Sequence, residues 1–307
     1  MSAVLASLVP TFLIIATGWL CRATGFVDDK QWMGLERVTY VVFFPALFID
    51  TLARADLHSV PIAGVGGSLV AAILIVSALA LALRPLLERK FGVDGPSFTS
   101  MFQGATRWNT FVALAIAGSL YGERGVALIA VAVAAMVPLL NLLAISVFIR
   151  YAGRPRHSPR EILRMVASNP LIWSCVVGLA LNFLVPPLPK PLVGYVDLLG
   201  RSALAAGLLV VGAGFEIRRL ARPGVAHAVS TVLKLLVLPL VAVGLARLSG
   251  VAGDDIAVTV IAASVPSASS AYVLARQMGG NAPLMAEILI LQLLVAAVSL
   301  PLLIAFL

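Results

Sequence analysis

Ten stretches of mostly apolar residues run through this chain of 307 residues, and they leave it few structures to adopt. They are roughly Val4–Cys21, Met33–Leu52, Pro61–Leu83, Phe98–Tyr121, Val126–Ile149, Pro170–Val185, Leu192–Phe215, Val225–Leu248, Ile256–Leu274 and Pro283–Phe306. A helix needs about 20 apolar residues to cross the hydrocarbon core of a bilayer. In lipid every backbone N–H and C=O must find a partner inside the protein, which leaves helices or a closed barrel. Barrel strands alternate in character over about ten residues, whereas these runs are longer and apolar throughout. The expected fold is therefore an all-α membrane protein with ten transmembrane helices. Composition agrees: 61% of residues are hydrophobic, 12% are charged and the mean hydropathy is +1.04, against about 25% charged in a soluble domain.

The net charge of +8 raises nucleic acid as a partner, and its distribution argues against one. If the runs alternate across the bilayer from an outer N-terminus, 14 of the 22 basic residues fall in loops on the inner side. The densest group is Arg150, Arg154, Arg156, Arg160 and Arg164. Only Arg54, Arg124, Lys190 and Arg247 fall in outer loops, and Arg37, Arg107, Arg201 and Lys234 lie inside runs. This is the positive-inside asymmetry that orients membrane proteins. Both termini are expected outside, with lipid and not nucleic acid as the surrounding partner. The first run has no basic residue ahead of it and no small-x-small cleavage site before Cys21, so it reads as the first spanning helix and not a signal peptide.

The chain also reads as two halves. Residues 1–149 hold five runs, 150–169 form a basic connector expected in the cytoplasm, and 170–307 hold five more. A shift of 158 residues lays the second, fourth and fifth runs on the seventh, ninth and tenth. An odd number of helices per half makes the second copy enter from the opposite side, the inverted repeat of many carriers.

Under that shift two interruptions coincide. Thr106-Arg107-Trp108-Asn109-Thr110 interrupts the fourth run and Val265-Pro266-Ser267-Ala268-Ser269-Ser270 the ninth, with Trp108 meeting Pro266 and Asn109 meeting Ser267. Paired interruptions of this kind are the best sequence pointer to a transporter's substrate site. Broken helices expose N–H groups and partial positive charge at their new N-termini, a seat for a carboxylate.

Arg107 is the leading candidate: an intramembrane arginine costs about 2.5–3.5 kcal/mol on insertion scales, and its fork matches a carboxylate. The competing reading is an internal ion pair with Asp50, Asp197 or Glu287. Asn109 and Thr110 either meet substrate or satisfy broken backbone. Pro266 supplies the second break. Ser267, Ser269 and Ser270 are split between substrate contact and close helix packing. Asp197 and Arg201, four apart, are expected to pair on one helix face; they, with Asp50 and Glu287, are the candidates for coupling or ion pairing. Gln103, Asn141 and Gln292 read as interhelical hydrogen-bonding residues.

No catalytic constellation stands out. His58, His157 and His227 fall in or beside loops, Cys21 and Cys175 read as packing residues, and neither a metal pattern nor a phosphate loop nor a nucleophile elbow is present. Neither an enzyme nor a cofactor nor a metal is expected.

Phe102–Gly122 (FQGATRWNTFVALAIAGSLYG), Ile261–Gly280 (IAASVPSASSAYVLARQMGG) and Phe12–Phe26 (FLIIATGWLCRATGF) resemble the auxin efflux carrier family of bacterial permeases, related to malonate and malate permeases and to bile-acid/sodium symporters. The resemblance spans nearly the whole chain. It implies ten helices in two inverted repeats, with the broken fourth and ninth helices crossing beside the substrate. It also implies a support of helices 1, 2, 6 and 7 carrying a moving bundle of the other six, in a bacterial cell membrane. Many members have proline in the first break, where this chain has Trp108. The reading that follows is a secondary carrier of a small organic anion, a mono- or dicarboxylate such as malonate or malate. A proton or sodium would be the coupling ion, and a homodimer is an open assembly state. The rivals are a carrier of an amphipathic or uncharged solute with Arg107 structural, and a membrane sensor domain without turnover.

Overall fold

A computed structural model describes residues 2–54, 62–152, 164, 168–184, 189–214 and 223–305. Most of the basic connector, His58, His157, the basic residues Arg218, Arg219 and Arg222, and the run ends Pro61, Val185, Phe215 and Phe306 lie outside the described residues. Apart from the turn at Gly214, the rest of every apolar run falls on helix, interrupted in the fourth and ninth, and no strand occurs among the described residues. In chain order the helices are α1 (Ser2–Ala23), α2 (Asp29–Ala53), α3 (Gly67–Phe91) and α4 (Gly95–Thr106). Next come α5 (Val112–Gly122) and α6 (Arg124–Tyr151), two arms of one helical stretch that Gly122 parts at φ 57°, ψ −142°. The second half supplies α7 (Pro170–Leu184), α8 (Lys190–Ala213), α9 (Val225–Leu248), α10 (Asp254–Ser264), α11 (Ser269–Met278) and α12 (Ala282–Ala305).

Among the described residues seven spans are long and apolar enough to cross a bilayer: Asp29–Ala53, Gly64–Phe91, Arg124–Tyr151, Lys190–Ala213, Val225–Leu248, Asp254–Met278 and Ala282–Ile304. Leu13–Ala23, Val112–Gly122 and Pro170–Phe183 are apolar but shorter.

Local chemistry explains where helices bend. In α2 a wide π turn at Thr39–Phe43 precedes Pro45, and in α9 another at Leu233–Val237 precedes Pro239. A proline removes one N–H and crowds the carbonyl four residues back, and a wider turn absorbs both effects. α10 stops for a related reason. Val265 precedes Pro266, which disfavours helical backbone, and it is extended at φ −65°, ψ 147°. The first break has no proline. There Arg107 turns extended (φ −70°, ψ 157°), and the Asn109 side chain starts a new helix by accepting the Val112 N–H at 3.3 Å.

Packing sorts the helices into two groups. α1, α2, α7 and α8 lie mainly against one another, while α9 gathers α3, α4 and α10, with α12 on α4 and α10 on α6. Gly18 and Gly212 let α1 and α8 touch backbone to backbone: a Cβ on either would collide with Leu209 O or Ile15 O respectively. Small residues at such contacts are how membrane helices approach closely.

Candidate functional site

The two breaks lie against each other and are tied by side chains from a third helix. Gln292 of α12 accepts the Ser267 N–H at 3.0 Å and donates to Gly104 O at 2.8 Å. Ser267 Oγ donates to the same Gly104 O at 3.0 Å, and Gln103 Nε2 donates to Ala271 O at 3.0 Å. Backbone groups freed by the breaks are thereby satisfied inside the protein, the condition for irregular backbone at membrane depth.

Gly104 makes this approach sterically feasible. A Cβ there would lie 2.7 Å from Ile288 Cγ2 and 3.1 Å from Ser230 Cβ. Overpacking costs about 1–3 kcal/mol, so Gly104→Val is expected to lower the thermal unfolding midpoint in detergent by several degrees, and Gly104→Ala by less. An unchanged midpoint for Gly104→Val would show that the crossing yields freely.

Beside the crossing lies a cavity of about 40 Å³, walled by Phe44, Leu47 and Phe48 of α2, Val137, Leu140 and Asn141 of α6, Arg107–Thr110 and Ala268–Ser270. A single water needs at least about 10–15 Å³ on this measure, so the space suits a few waters and is contracted relative to a dicarboxylate. Two new helix N-termini border it. Asn109 Oδ1 caps one; Ala268 gives the other no side-chain cap.

Arg107 is 4% exposed. Its Nη1 donates to Ser270 Oγ at 3.1 Å and its Nη2 to Asn141 Oδ1 at 3.0 Å, while its buried Nε has no partner. Among the described residues no carboxylate pairs with it. The positive charge is thus held at the cavity wall by neutral oxygens, which leaves its Coulomb attraction for an anion uncompensated.

Five of the seven expected substrate-binding residues therefore share one cavity: Arg107, Asn109, Thr110, Ser269 and Ser270. Pro266 and Ser267 do not line it. Pro266 shapes the break, and both hydrogen-bonding groups of Ser267 are spent on the brace.

The acids expected as pairing or coupling groups lie elsewhere. Asp50, Asp197 and Arg201 form a chain with Arg54: Arg54–Asp50 at 2.6 Å, Arg54–Asp197 at 3.8 Å and Arg201–Asp197 at 3.0 Å. Glu287 is 2% exposed and meets His227 Nε2 at 2.9 Å; His227, expected in or beside a loop, is buried on α9. Lys234 is fully buried and donates to Ala263 O at 3.0 Å. No group of three or more His, Cys, Asp or Glu among the described residues could hold a metal ion.

Of the cavity residues that sequence reading did not single out as site candidates, three stand out. Trp108 presents a buried indole N–H with no partner. Asn141 was legible as a polar residue in an apolar run, but only the fold shows that it holds Arg107, with Nδ2 turned to Leu171 O and Cys175 Sγ at 3.4 Å each. Phe44 on α2 carries no signal that separates it from any apolar wall residue.

Comparison with known proteins agrees with this architecture. A sequence model of the family described as "Membrane transport protein" matches residues 3–148 and again 147–304. An "Uncharacterized transporter" of Methanothermobacter thermautotrophicus is 23% identical over 303 residues, covering 96% of each chain. The chain belongs to this auxin efflux carrier-like family of membrane transport proteins.

Proposed function

We propose that this transporter is a secondary carrier of small organic anions, mono- or dicarboxylates such as malonate or malate, working by alternating access at the crossing of the two breaks. One observation carries the reading. Arg107, buried without a carboxylate partner, faces a cavity that two half-helix N-termini also border. A substrate carboxylate would take the guanidinium from Ser270 and Asn141 and would accept the free N–H groups at the start of α11. Trp108 Nε1–H and the Asn109 amide stand ready for a second polar group. Apolar walls from Phe44, Phe48 and Leu140 limit the carbon skeleton to a short one.

In this reading the chain crosses the bilayer ten times, as two oppositely oriented repeats of five with both termini outside. The double family match, 3–148 and 147–304, supports the division, as does the connector between 150 and 169. The group of α1, α2, α7 and α8 serves as the support, and the group holding both breaks moves against it. A tie between the groups bears on that movement. Arg276 of α11 holds Glu36 of α2 at 3.1 and 3.2 Å, a contact that must part when the groups separate on that side.

A second reading, an amphipathic or uncharged solute with Arg107 structural, draws on the bonds Arg107 already makes to Ser270 and Asn141. Counterflow in liposomes separates the two. Labelled malonate or malate should exchange saturably, and the corresponding diamides should neither exchange nor compete. Diamides that exchange as well as the acids would favour the second reading.

A further inference from the structure

Glu287 and His227 form a buried ionisable pair that the substrate cavity does not use. The side chains are 3% and 8% exposed, joined by the 2.9 Å contact between His227 Nε2 and Glu287 Oε2. Gly224 N–H donates to His227 Nδ1 at 3.1 Å, so Nδ1 carries no proton. Nε2 then bears the ring hydrogen and donates it to Glu287. The imidazole in this arrangement is neutral, and an ionised carboxylate beside it would leave the pair with one net negative charge. Glu287 Oε1 is buried and has no hydrogen-bond partner among the described residues. It is a vacant acceptor, and a cavity of about 660 Å³ lined by His227, Glu287, Ser97 and Asn281 reaches the pair. That cavity opens among the loops around residues 92–94, 223–224 and 279–281, the face that the charge asymmetry places in the cytoplasm.

Charged groups on the elements packed around the pair are engaged elsewhere or exposed. Arg84 pairs with Glu88, Arg22 with Asp29, Arg276 with Glu36 and Asp255 with Arg124. Asp94 caps α4 through Ser97 N, Lys234 is bonded to Ala263 O, and Arg107 holds Ser270 and Asn141. Arg89, Lys90 and Asp254 are exposed. No cation among the described residues neutralises Glu287.

The pair is joined mechanically to the crossing. Ile288, next to Glu287, packs on Gly104; Ser230, one turn from His227, does the same. Gln292 on the Glu287 helix braces both breaks.

We propose that Glu287 Oε1 is the coupling-proton site of this carrier, exchanging its proton with the cytoplasmic side through that cavity while His227 holds Oε2, so that one proton travels with the substrate anion. The inference rests on the organic-anion reading above. A buried ionised carboxylate is costly without a paired cation, and it stands in the same moving group as the anion that Arg107 would take. A proton on Oε1 removes the charge, and the loaded group then crosses with one negative charge fewer.

Two measurements test it. Infrared difference spectra of the purified wild type on acidification should show the carbonyl band of a protonated carboxylic acid that Glu287→Gln lacks; identical bands in both proteins overturn the site, whatever the substrate. In liposomes an acid-outside gradient should drive wild-type accumulation of labelled malonate, while Glu287→Gln accumulates none yet still exchanges malonate for malonate. His227→Gln, which can still donate to Oε2, should still accumulate malonate, and a complete loss there would place the proton on the histidine instead. Accumulation by Glu287→Gln equal to wild type, or wild-type accumulation driven equally by a sodium gradient, overturns the coupling role. If wild type exchanges no organic acid, the carrier reading fails, and the infrared result still decides the proton site.

Discussion

Arg107→Ala is expected to reduce carboxylate counterflow by about 30-fold or more, with the protein still folded. Truncating one partner of a buried hydrogen-bonded charge pair costs about 2–5 kcal/mol, and about 1.4 kcal/mol is a factor of ten. Folding should survive because no buried acid among the described residues depends on Arg107: its partners are the neutral Ser270 and Asn141. Asn141 keeps its contacts to Leu171 O and Cys175 Sγ. Arg107→Lys retains the charge and loses the fork, so it should fall between the two, with a raised KM. Counterflow of the three proteins at matched amounts in liposomes checks the order. Wild-type flux in Arg107→Ala would make the arginine structural.

The largest stability effect is expected at Gln292, which does not line the cavity. Gln292→Leu preserves the approximate volume but leaves the buried Ser267 N–H without its acceptor and deprives Gly104 O of one of two donors. An orphaned buried donor costs about 1–3 kcal/mol, and the lost bond to Gly104 adds about 0.5–1.5 kcal/mol. The unfolding midpoint in detergent should therefore drop by more than for Ser267→Ala, which removes only the hydroxyl bond. Gln292→Glu restores the acceptor but not the donor and should fall between. A midpoint for Gln292→Leu equal to wild type would mean that the breaks support themselves.

Much of the architecture was legible because membranes make local signals strong. The apolar runs and the helices coincide, and the breaks fall at the residues whose chemistry causes them. Val265 is extended because Pro266 follows it, and Asn109 caps because an Asx side chain at a helix start satisfies a free N–H. Arg107 was legible as an intramembrane charge. What it touches was not, since Asn141 and Ser270 lie 34 and 163 positions away. The same limit hid the partnership of His227 and Glu287, 60 positions apart. From sequence the first looked like a residue in or beside a loop, and the second like a candidate for coupling or for an ion pair with Arg107. Ser267 stood open between substrate contact and close packing, and only the fold shows that Gln292 and Gly104 take its N–H and its hydroxyl.

The central claim is that a substrate carboxylate sits between Arg107 and the start of α11. The most direct measurement is a cryo-electron-microscopy structure determined with whichever of malonate and malate exchanges. The account predicts a widened cavity with a carboxylate hydrogen-bonded to the Arg107 guanidinium and to backbone N–H groups at Ser269–Ser270, the bond from Arg107 to Ser270 having given way. Substrate bound elsewhere, with Arg107 still holding Ser270 and Asn141, would contradict it.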